Sequence, residues 1–442
     1  MQENKIVFEH FIEKSRQDTY FTIPIEVPGG KELERITISY SYKKMQSGRK
    51  KDGATAGIVD IGLEDEQGKF LGWSGSAKDS IFVGEHSSTK GYLMTKITPG
   101  EWKIIGGAHR IPENGLTVRY EIEFTPKAPR WFTGDLHIHS DASDGQHDIS
   151  VLAKKAQKKG LDFIGVSNHN NYTDNLAPPS IPGLTFIAAV EWTHYKCHMN
   201  FFGVAKPFDN GFIANNEAEM LSLIEQVKSK GAIVSVNHPK DEFFSYNWDN
   251  TDCFDMVEIW NAPMRPANMN AIAWWHELLL KGGRKIPIVG GSDYHRDLHP
   301  ALFARPVTKV FADSQSSDDL LRALAAGHSY VTSSVKGPRL NINCGETKMG
   351  DIVESNQLQK QAELTISAEK LRPGMRLRLV TSDGIAKEWK KFPQGKLSEN
   401  VHVETSWKFA YLMATRKIFG KHYARAITNP VYFEHITLVK DS

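Results

Sequence analysis

Histidines and acidic residues recur at the ends of apolar segments in the middle of this chain, and the first group is the densest. The segment GDLHIHSDASDG, residues 134–145, contains two histidines and three aspartates. His137 and His139 are two positions apart in a stretch with the pattern of a β-strand, so both side chains lie on one face. Two imidazoles aimed at one point are what a metal ion needs. A strand that carries two solvated histidines is the ordinary alternative.

The same residue types recur at the ends of the apolar segments that follow. Taken singly, each has an ordinary interpretation as a loop, capping or core residue, and Asp144 before a glycine is typical of a turn. Their coincidence at one rim is the stronger observation, because the carboxyl ends of parallel strands form the site in α/β barrels. These further candidate ligands are His169, Glu191, His198, His238, Asp293 and His295.

Seven apolar segments have the pattern of strands, and most of them are joined by segments with helical periodicity. Strands that alternate with helices favour a (β/α)7 barrel. His198 is the one candidate at the start of its segment, so that strand is predicted to run antiparallel or to enter by a hairpin. The seven segments are DLHIH, DFIGVSNH, LTFIAAVEW, CHMNFFGVA, AIVSVNHP, MVEIWN and PIVGGSDYH. The helical segments are 149–160, 215–230, 268–280 and 317–326.

The segments on either side of this region have a β-rich texture. Short alternating runs, separated by Gly, Pro and Asn turns, predict a β-sandwich over residues 1–130 and another over residues 335–442. A helical turn is expected at Phe8–Lys14. The barrel is assigned to residues 131–334, so the predicted fold class is α/β with three domains.

Composition narrows the class of protein. The chain has 442 residues, a net charge of +2 and three cysteines without CxxC spacing. Neither a polyanion-binding surface nor a disulfide framework is indicated. No apolar run reaches about 18 residues, and the N-terminus lacks the apolar core of a secretory signal. We therefore expect a cytoplasmic protein without a membrane partner, with nucleic acid possible only as a substrate.

The ligand chemistry indicates the metals. Histidines mixed with carboxylates, without thiolates, suit Zn²⁺, Mn²⁺ or Fe²⁺. The candidates exceed what one ion uses, so two or three divalent ions are expected. Such centres activate water at neutral pH and stabilise the attacking and leaving oxygens of a phosphoryl transfer.

These motifs resemble those of the polymerase-and-histidinol-phosphatase (PHP) family and, within it, the CehA/McbA-type metallohydrolases. The flanking LGWSGSAK, TKGYL, ITPGEW, KGPRL and ITNPVYF resemble the two β domains of that branch. The resemblance implies a distorted (β/α)7 barrel and hydrolysis of phosphoesters, including nucleotides; the branch also implies hydrolysis of carbamates or amides. The matching motifs, in family order, are DLHIHSDASDG, VSNHN, AAVEW, CHMNFFG, VSVNHP and GGSDYH.

The resemblance also implies how the ligands divide among the metals. One metal would be held by His137, His139, Glu191 and Asp293. Glu191 would bridge to a second metal, completed by His198 and His238. A third site would use Asp144, His169 and His295. Asn168 stands where the family usually has Asp, and Asp144 where trinuclear members often have His, which favours two metals with an exchangeable third.

The expected reaction is in-line attack of a metal-bridging hydroxide on phosphorus, with Asp293, His295 and Asp144 as the candidate catalytic residues. Arg296, Lys240 and Arg265 follow three of the motifs and are candidates to bind the substrate, although each is also compatible with a surface charge. A small-molecule or nucleotide phosphoester is the expected substrate. Hydrolysis of a carbamate, amide or ester at the same centre, and a non-catalytic binding protein, remain as alternatives.

Overall fold

The computed structural model describes residues 4–44, 56–297, 302–355 and 362–434. It is a mixed α/β protein, rich in sheet and with few helices. The chain divides into two compact units, Met1–Ala128 and Pro129–Ser442. The predicted second and third domains therefore lie together in the second unit.

The first unit consists of two four-stranded antiparallel sheets around one apolar core. In most of these strands every second side chain is buried, which is the period-2 pattern the sequence indicates. The strands are β1 Lys5–Ile12, β2 Tyr20–Val27, β3 Leu33–Ser41, β4 Ile58–Glu64, β5 Phe70–Trp73, β6 Ser80–Gly84, β7 Gly100–Arg110 and β8 Leu116–Pro126. One sheet has the strand order β1-β8-β3-β6, and the other has the order β2-β7-β4-β5.

The helical turn predicted at Phe8–Lys14 is wrong. Strand β1 occupies most of that segment and pairs antiparallel with β8 along its whole length, from Lys5 opposite Glu123 to Ile12 opposite Leu116. Pairing with β8 satisfies the backbone of this segment, and this tertiary contact overrides the local preference.

The second unit begins with the strands that carry the candidate ligands. Strands are found in all seven predicted segments: β9 Arg130–Ile138, β10 Phe163–Val166, β11 Thr185–His194, β12 Cys197–Phe202, β13 Ile233–Asn237, β14 Met256–Asn261 and β15 Ile288–Gly291. The helices are α1 Ile149–Lys159, α2 Thr173–Leu176, α3 Glu217–Ser229, α4 Pro266–Lys281 and α5 Ser317–Ala326.

These seven strands are neighbours in chain order. All adjacent pairs are parallel except the two that involve β12, which is antiparallel to both β11 and β13, as the position of His198 predicts. Beyond the end of β15, Asp293 N donates to His137 O at 2.8 Å and His139 N donates to Tyr294 O at 3.0 Å. The segment after β15 therefore returns to β9, and the strand ends that carry the ligands converge.

The predicted alternation of strand and helix is not what the structure shows. Within the described residues, a helix of ten or more residues follows only β9, β12 and β14 among the seven strands. Strands β11 and β12 are joined through Tyr195 and Lys196 alone, because an antiparallel neighbour needs only a tight hairpin and no crossover. The hairpin agrees with the prediction made from the position of His198, whereas the expected alternation of strand and helix does not hold for this pair of strands.

The remaining strands extend the same unit. Strand β16 pairs antiparallel with β9, β17 pairs with β16, and β26 pairs with β17, so one sheet runs from the ligand-bearing strands into the C-terminal region. A separate four-stranded sheet has the order β19-β18-β21-β24. These strands are β16 Val307–Ala312, β17 Ser329–Thr332, β18 Arg339–Cys344, β19 Thr347–Lys348, β20 Ile352–Val353, β21 Glu363–Glu369, β22 Met375–Thr381, β23 Gly384–Trp389, β24 Leu397–His402, β25 Phe409–Ile418, β26 Lys421–Thr428 and β27 Val431–Phe433.

Two further observations bear on the expectations from composition. Cys197, Cys253 and Cys344 are free thiols, and all three are buried. Among the described residues, no helix combines the length and the apolar character needed to cross a membrane.

Candidate metal centre

The backbone at the strand ends turns the candidate ligands toward one another. His137 lies on β9 and His139 one residue beyond it, and both are buried. His238 and Asp293 follow β13 and β15 with positive φ angles of 28° and 50°. Such φ values are uncommon for residues other than glycine and store strain, which functional sites often hold. All nine predicted ligands occur in groups of donor atoms that lie within 4.8 Å of one another.

Glu191 on β11 is at the centre of this cluster. It is buried, and nitrogens of five histidines lie 3.0 to 3.4 Å from its two oxygens. Oε1 faces His137, His198 and His238, whereas Oε2 faces His139 and His169. A carboxylate whose two oxygens face different histidines could contact more than one metal ion, although His137 shares Oε1 with His198 and His238 and not with His139.

Asp293 contacts the same ring nitrogens of His137 and His139 as Glu191 does. Its Oδ1 is 3.4 Å from His137 Nε2, 3.1 Å from His139 Nε2 and 3.5 Å from His295 Nδ1. Nε2 of each histidine therefore contacts both carboxylates, Glu191 and Asp293, and these four residues are the set that the resemblance implies for one metal.

Asp144 belongs to a third and more open group. Its side chain is 53% exposed, with Oδ1 3.3 Å from His295 Nε2 and Oδ2 3.7 Å from His169 Nε2. His139 Nδ1 lies 3.9 Å from Oδ1. These are longer approaches to a more hydrated carboxylate than those around Glu191, so this group is the weakest of the possible sites.

Several buried nitrogens and oxygens in the cluster have no hydrogen-bond partner among the described residues. They are His137 Nε2, both ring nitrogens of His139, Glu191 Oε2 and His238 Nδ1. A buried polar atom left unpaired costs roughly 1–3 kcal/mol, and such atoms are rare in folded proteins. Divalent ions would satisfy this donor set, so the residues present fit metal ions of the kind the sequence indicates.

Neighbouring charges control the protonation of the ligands. Burial lowers the pKa of His139 to about 4. Burial also acts to lower the pKa of His137, but Glu258 and Glu191 outweigh it and raise that pKa well above the ordinary value. Burial acts to raise the pKa of Glu191, and the imidazole of His137 holds it well below the usual range. The carboxylate at the centre is therefore ionised at neutral pH.

Glu258 on β14 is the functional residue that the sequence interpretation missed. It is only 2% exposed, and its Oε1 lies 2.9 Å from His137 Nδ1. Its Oε2 accepts hydrogen bonds from His238 N at 3.1 Å and Asn261 Nδ2 at 3.2 Å. The available signal was one ionisable residue inside the apolar run MVEIWN, since glutamate is almost never fully buried unless it is paired.

Three polar residues support the ligands from behind. Asn237 Nδ2 donates to Glu191 Oε1 at 2.9 Å, and Thr193 Oγ1 lies 2.6 Å from His169 Nδ1. Asn168 Oδ1 accepts from Ser140 N at 2.8 Å and from Ser143 Oγ at 2.9 Å. Asn168 therefore holds the loop that leads to Asp144, which is a structural use for an amide at this position.

The three cations predicted to bind the substrate are engaged in other contacts or point to solvent. Lys240 Nζ lies 5.0 Å from the centre of the Trp274 ring. Arg265 forms an ion pair with Asp241 at 2.7 Å, and Arg296 is exposed. None of the three is among the described residues that line the cavity over the metal ligands. Their role in substrate binding stays a prediction.

A cavity of about 630 Å³ opens over the ligands. Its floor contains Asp144, His169, Glu191, His198, His238, Asp293 and His295, and its wall contains Trp192, Tyr195, Phe212, Ile213 and Phe244. Tyr195 and Ile213 are 94% and 76% exposed, and Phe244 stacks on His198 with ring centroids 4.9 Å apart. Apolar side chains thus extend from the ligands to the surface.

No protein-family model matches this chain, and no curated protein matches it. Several solved structures are similar to it. One is a two-domain protein from Bacteroides vulgatus that contains a predicted PHP-like metal-dependent phosphoesterase, with 17% identity, a TM-score of 0.40, and coverage of 69% of this chain and 96% of that one.

Two further solved structures match a smaller part of the chain. A protein from Bifidobacterium adolescentis, assigned as a metal-dependent phosphoesterase, has 14% identity and a TM-score of 0.28, with 43% of this chain and 94% of that chain covered. An amidohydrolase from Chromobacterium violaceum has 12% identity and a TM-score of 0.26, with 37% and 87% covered. TM-scores this low do not establish a common fold.

Proposed function

We propose that this protein is a metal-dependent hydrolase of the PHP superfamily that acts on phosphoesters through two or three divalent ions. The observation that carries the proposal is one cluster of nine histidine and carboxylate side chains, in which five of the histidines surround the buried Glu191. An ordinary buried polar network satisfies its own members, whereas five donor or acceptor atoms here are unpaired within the described chain.

The chain's own residues have separable tasks in this proposal. His137, His139, Glu191 and Asp293 would hold one ion, and His198 and His238 would hold a second with Glu191, a division that follows the family resemblance and is supported by the contacts of these side chains with Glu191 and Asp293. Bound divalent ions supply a Lewis acid and lower the pKa of water to near neutrality.

Asp293 and His295 line the cavity and lie 3.5 Å apart, so this pair can receive a proton and pass it toward solvent. The half-exposed Asp144 beside His295 is the third candidate for proton transfer. Trp192, Phe212 and Phe244 give part of the cavity an apolar lining beside the candidate ligands.

The wall also favours a second candidate reaction. Among the described residues that line the cavity there is no lysine or arginine to neutralise a doubly charged phosphate. A substrate with an apolar group and little charge would suit this wall, as an aryl carbamate, amide or carboxylic ester does. A phosphodiester with a flat, apolar leaving group satisfies the same requirement while keeping the first candidate reaction.

Two finer assignments belong to the same proposal. We assign the chain to the CehA/McbA-type branch, with the seven strands β9–β15 as a distorted barrel, on the support of its motif order and of the backbone bonds between β9 and the segment after β15. We also propose a cytoplasmic location and a small-molecule or nucleotide substrate, supported by composition.

The proposal is tested with purified protein reloaded with Mn²⁺ or Zn²⁺. The substrates are p-nitrophenyl phosphate, bis-p-nitrophenyl phosphate, a set of nucleotides and a naphthyl carbamate. We expect turnover of at least one phosphoester, and its loss in both His137→Ala and Glu191→Ala. His402→Ala, which alters an exposed histidine on β24, is the matched control and should retain full activity.

Each outcome decides between the alternatives. Turnover of the carbamate alone selects the second candidate reaction. Full metal loading without turnover of any substrate supports the non-catalytic binding protein. Full activity in either ligand variant contradicts the metal mechanism.

A further inference from the structure

Two adjacent cavities lie toward the opposite end of β9 from the metal ligands. Their volumes are about 660 and 260 Å³, and both are lined by Trp131 and Asn341. Thr133 lines the larger one, and six residues of extended chain separate it from His139, roughly 20 Å at about 3.3 Å per residue. Neither cavity therefore belongs to the metal centre.

The larger cavity carries an excess of positive charge. Its lining contains three cations, Lys309, Arg339 and Lys396, and one acid, Glu369. Glu369 is shared between Arg339 at 3.4 Å and Lys396 at 3.6 Å. Lys309 Nζ donates to Thr133 Oγ1 at 2.5 Å, and within the described chain no carboxylate oxygen lies close enough to form an ion pair with it. A half-buried ammonium thus faces the cavity without a direct counter-charge.

The charges around Lys309 do not compensate for its burial. Asp162 is the acid that acts on it, but one oxygen of that carboxylate accepts a hydrogen bond from Thr133 N at 2.7 Å. Burial lowers the pKa of Lys309 to about 8, and the cations Arg339 and Lys370 act in the same direction. An anion in the cavity would reverse this effect, because an opposite charge favours the protonated amine.

The smaller cavity has a different character. Trp131 is 39% exposed and contacts Tyr330 edge-on, with ring centroids 5.1 Å apart, and Phe311 at a tilt, with centroids 5.4 Å apart. The amides of Asn341 and Asn343 line the same cavity. A fixed indole offers a surface for a flat ring, and primary amides can both donate to and accept from the edge of such a ring.

We propose that the two cavities together bind a nucleoside monophosphate. The phosphate binds Lys309 and Arg339 in the larger cavity, and the base packs on Trp131 beside Asn341 in the smaller one. The combined volume lies within the range of about 300–1,000 Å³ that is usual for small-molecule sites. This binding site does not depend on the proposed hydrolytic function, since it uses none of the metal ligands.

The test is calorimetric titration of the full chain, cleared of divalent ions with a chelator, using AMP, adenosine and inorganic phosphate as probes. We expect saturable binding of AMP that is tighter than that of adenosine or phosphate. Lys309→Met and Arg339→Gln should each weaken it about 10- to 100-fold, the loss expected for a charge-assisted hydrogen bond. Trp131→Leu should weaken AMP but leave inorganic phosphate unchanged.

Two controls fix the location of binding. Lys390→Met removes an exposed lysine of the same unit and should bind AMP as the wild type does. Glu191→Ala should also bind AMP normally, and loss of binding in that variant would place AMP at the metal centre and overturn the proposal. So would the absence of saturable AMP binding, or wild-type affinity in Arg339→Gln, which alters a side chain that is 57% exposed.

Discussion

Replacing Glu258 with glutamine tests whether the buried residue behind the ligands sets the metal affinity. The carboxylate accepts from His137 Nδ1 and thereby leaves Nε2, on the side of Glu191 and Asp293, free to coordinate. Its second oxygen accepts from two donors, His238 N and Asn261 Nδ2. Glutamine keeps the shape but places an NH₂ group toward one of these two faces, where donors already point.

The expected loss of metal affinity follows from placing the new NH₂ group opposite an existing donor. An outer partner of a metal-bound histidine is worth about 10- to 100-fold in metal affinity. That loss corresponds to roughly 1.4–2.7 kcal/mol. We expect Glu258→Gln to bind Zn²⁺ more weakly by this factor while it retains all of the predicted ligands.

The assay is competition between the protein and a chromophoric zinc chelator at neutral pH. Glu113→Gln, which alters an exposed glutamate in the first unit, is the matched control and should not change the affinity. Circular dichroism and thermal unfolding in the presence of a chelator report whether the variant folds. A folded Glu258→Gln protein with wild-type zinc affinity would refute the assigned role of Glu258.

Three further predictions concern other parts of the second unit. Burial lowers the pKa of Lys309 from 10.5 to about 8, so between pH 8 and pH 10.5 the unfolded chain binds more protons than the folded chain. In urea unfolding, the free energy of unfolding of the wild type should therefore rise with pH over this range relative to that of Lys309→Met. An equal pH dependence in both proteins would contradict the burial of the Lys309 charge. Ile213→Ser should raise KM for apolar substrates by about tenfold or less without changing the affinity for zinc, because the exposed Ile213 side chain lines the cavity wall. A lower metal content in this variant would show that Ile213 has a structural role instead. Lys155→Met should lower the number of Mn²⁺ ions bound per chain, measured by mass spectrometry of the intact protein, because Lys155 Nζ lies 2.6 Å from Asp297, two residues after the candidate ligand His295. An unchanged number of bound ions would show that this contact does not position the group of Asp144, His169 and His295.

The clustering of the candidate metal ligands could be predicted because it depends on simple periodicities. His137 and His139 share a face through the period of two residues in a strand, and Asp293 and His295 follow another strand at the same spacing. Sequence order also placed His198 at the start of an antiparallel strand. These inferences need only local geometry and the convergence of strand ends.

The supporting residues could not be predicted because their roles depend on partners far along the chain. Glu258 meets His137 across 121 positions, and only the folded arrangement of β9 and β14 brings them together. The same reason explains the failure to foresee the engagement of Arg265, whose charge is paired with Asp241. A sequence shows that a cation is present, but the fold determines whether that cation is free to bind a substrate.

The backbone that closes β9 against the segment after β15 also fixes the spacing of the metal ligands. Asp293 N donates to His137 O, and His139 N donates to Tyr294 O, so main-chain hydrogen bonds anchor the backbone of both histidines and of Asp293. Side chains held in this way would form a largely preorganised site for an ion. The positive φ angles of His238 and Asp293 agree with this view, because such backbone conformations persist only where the surrounding structure holds them.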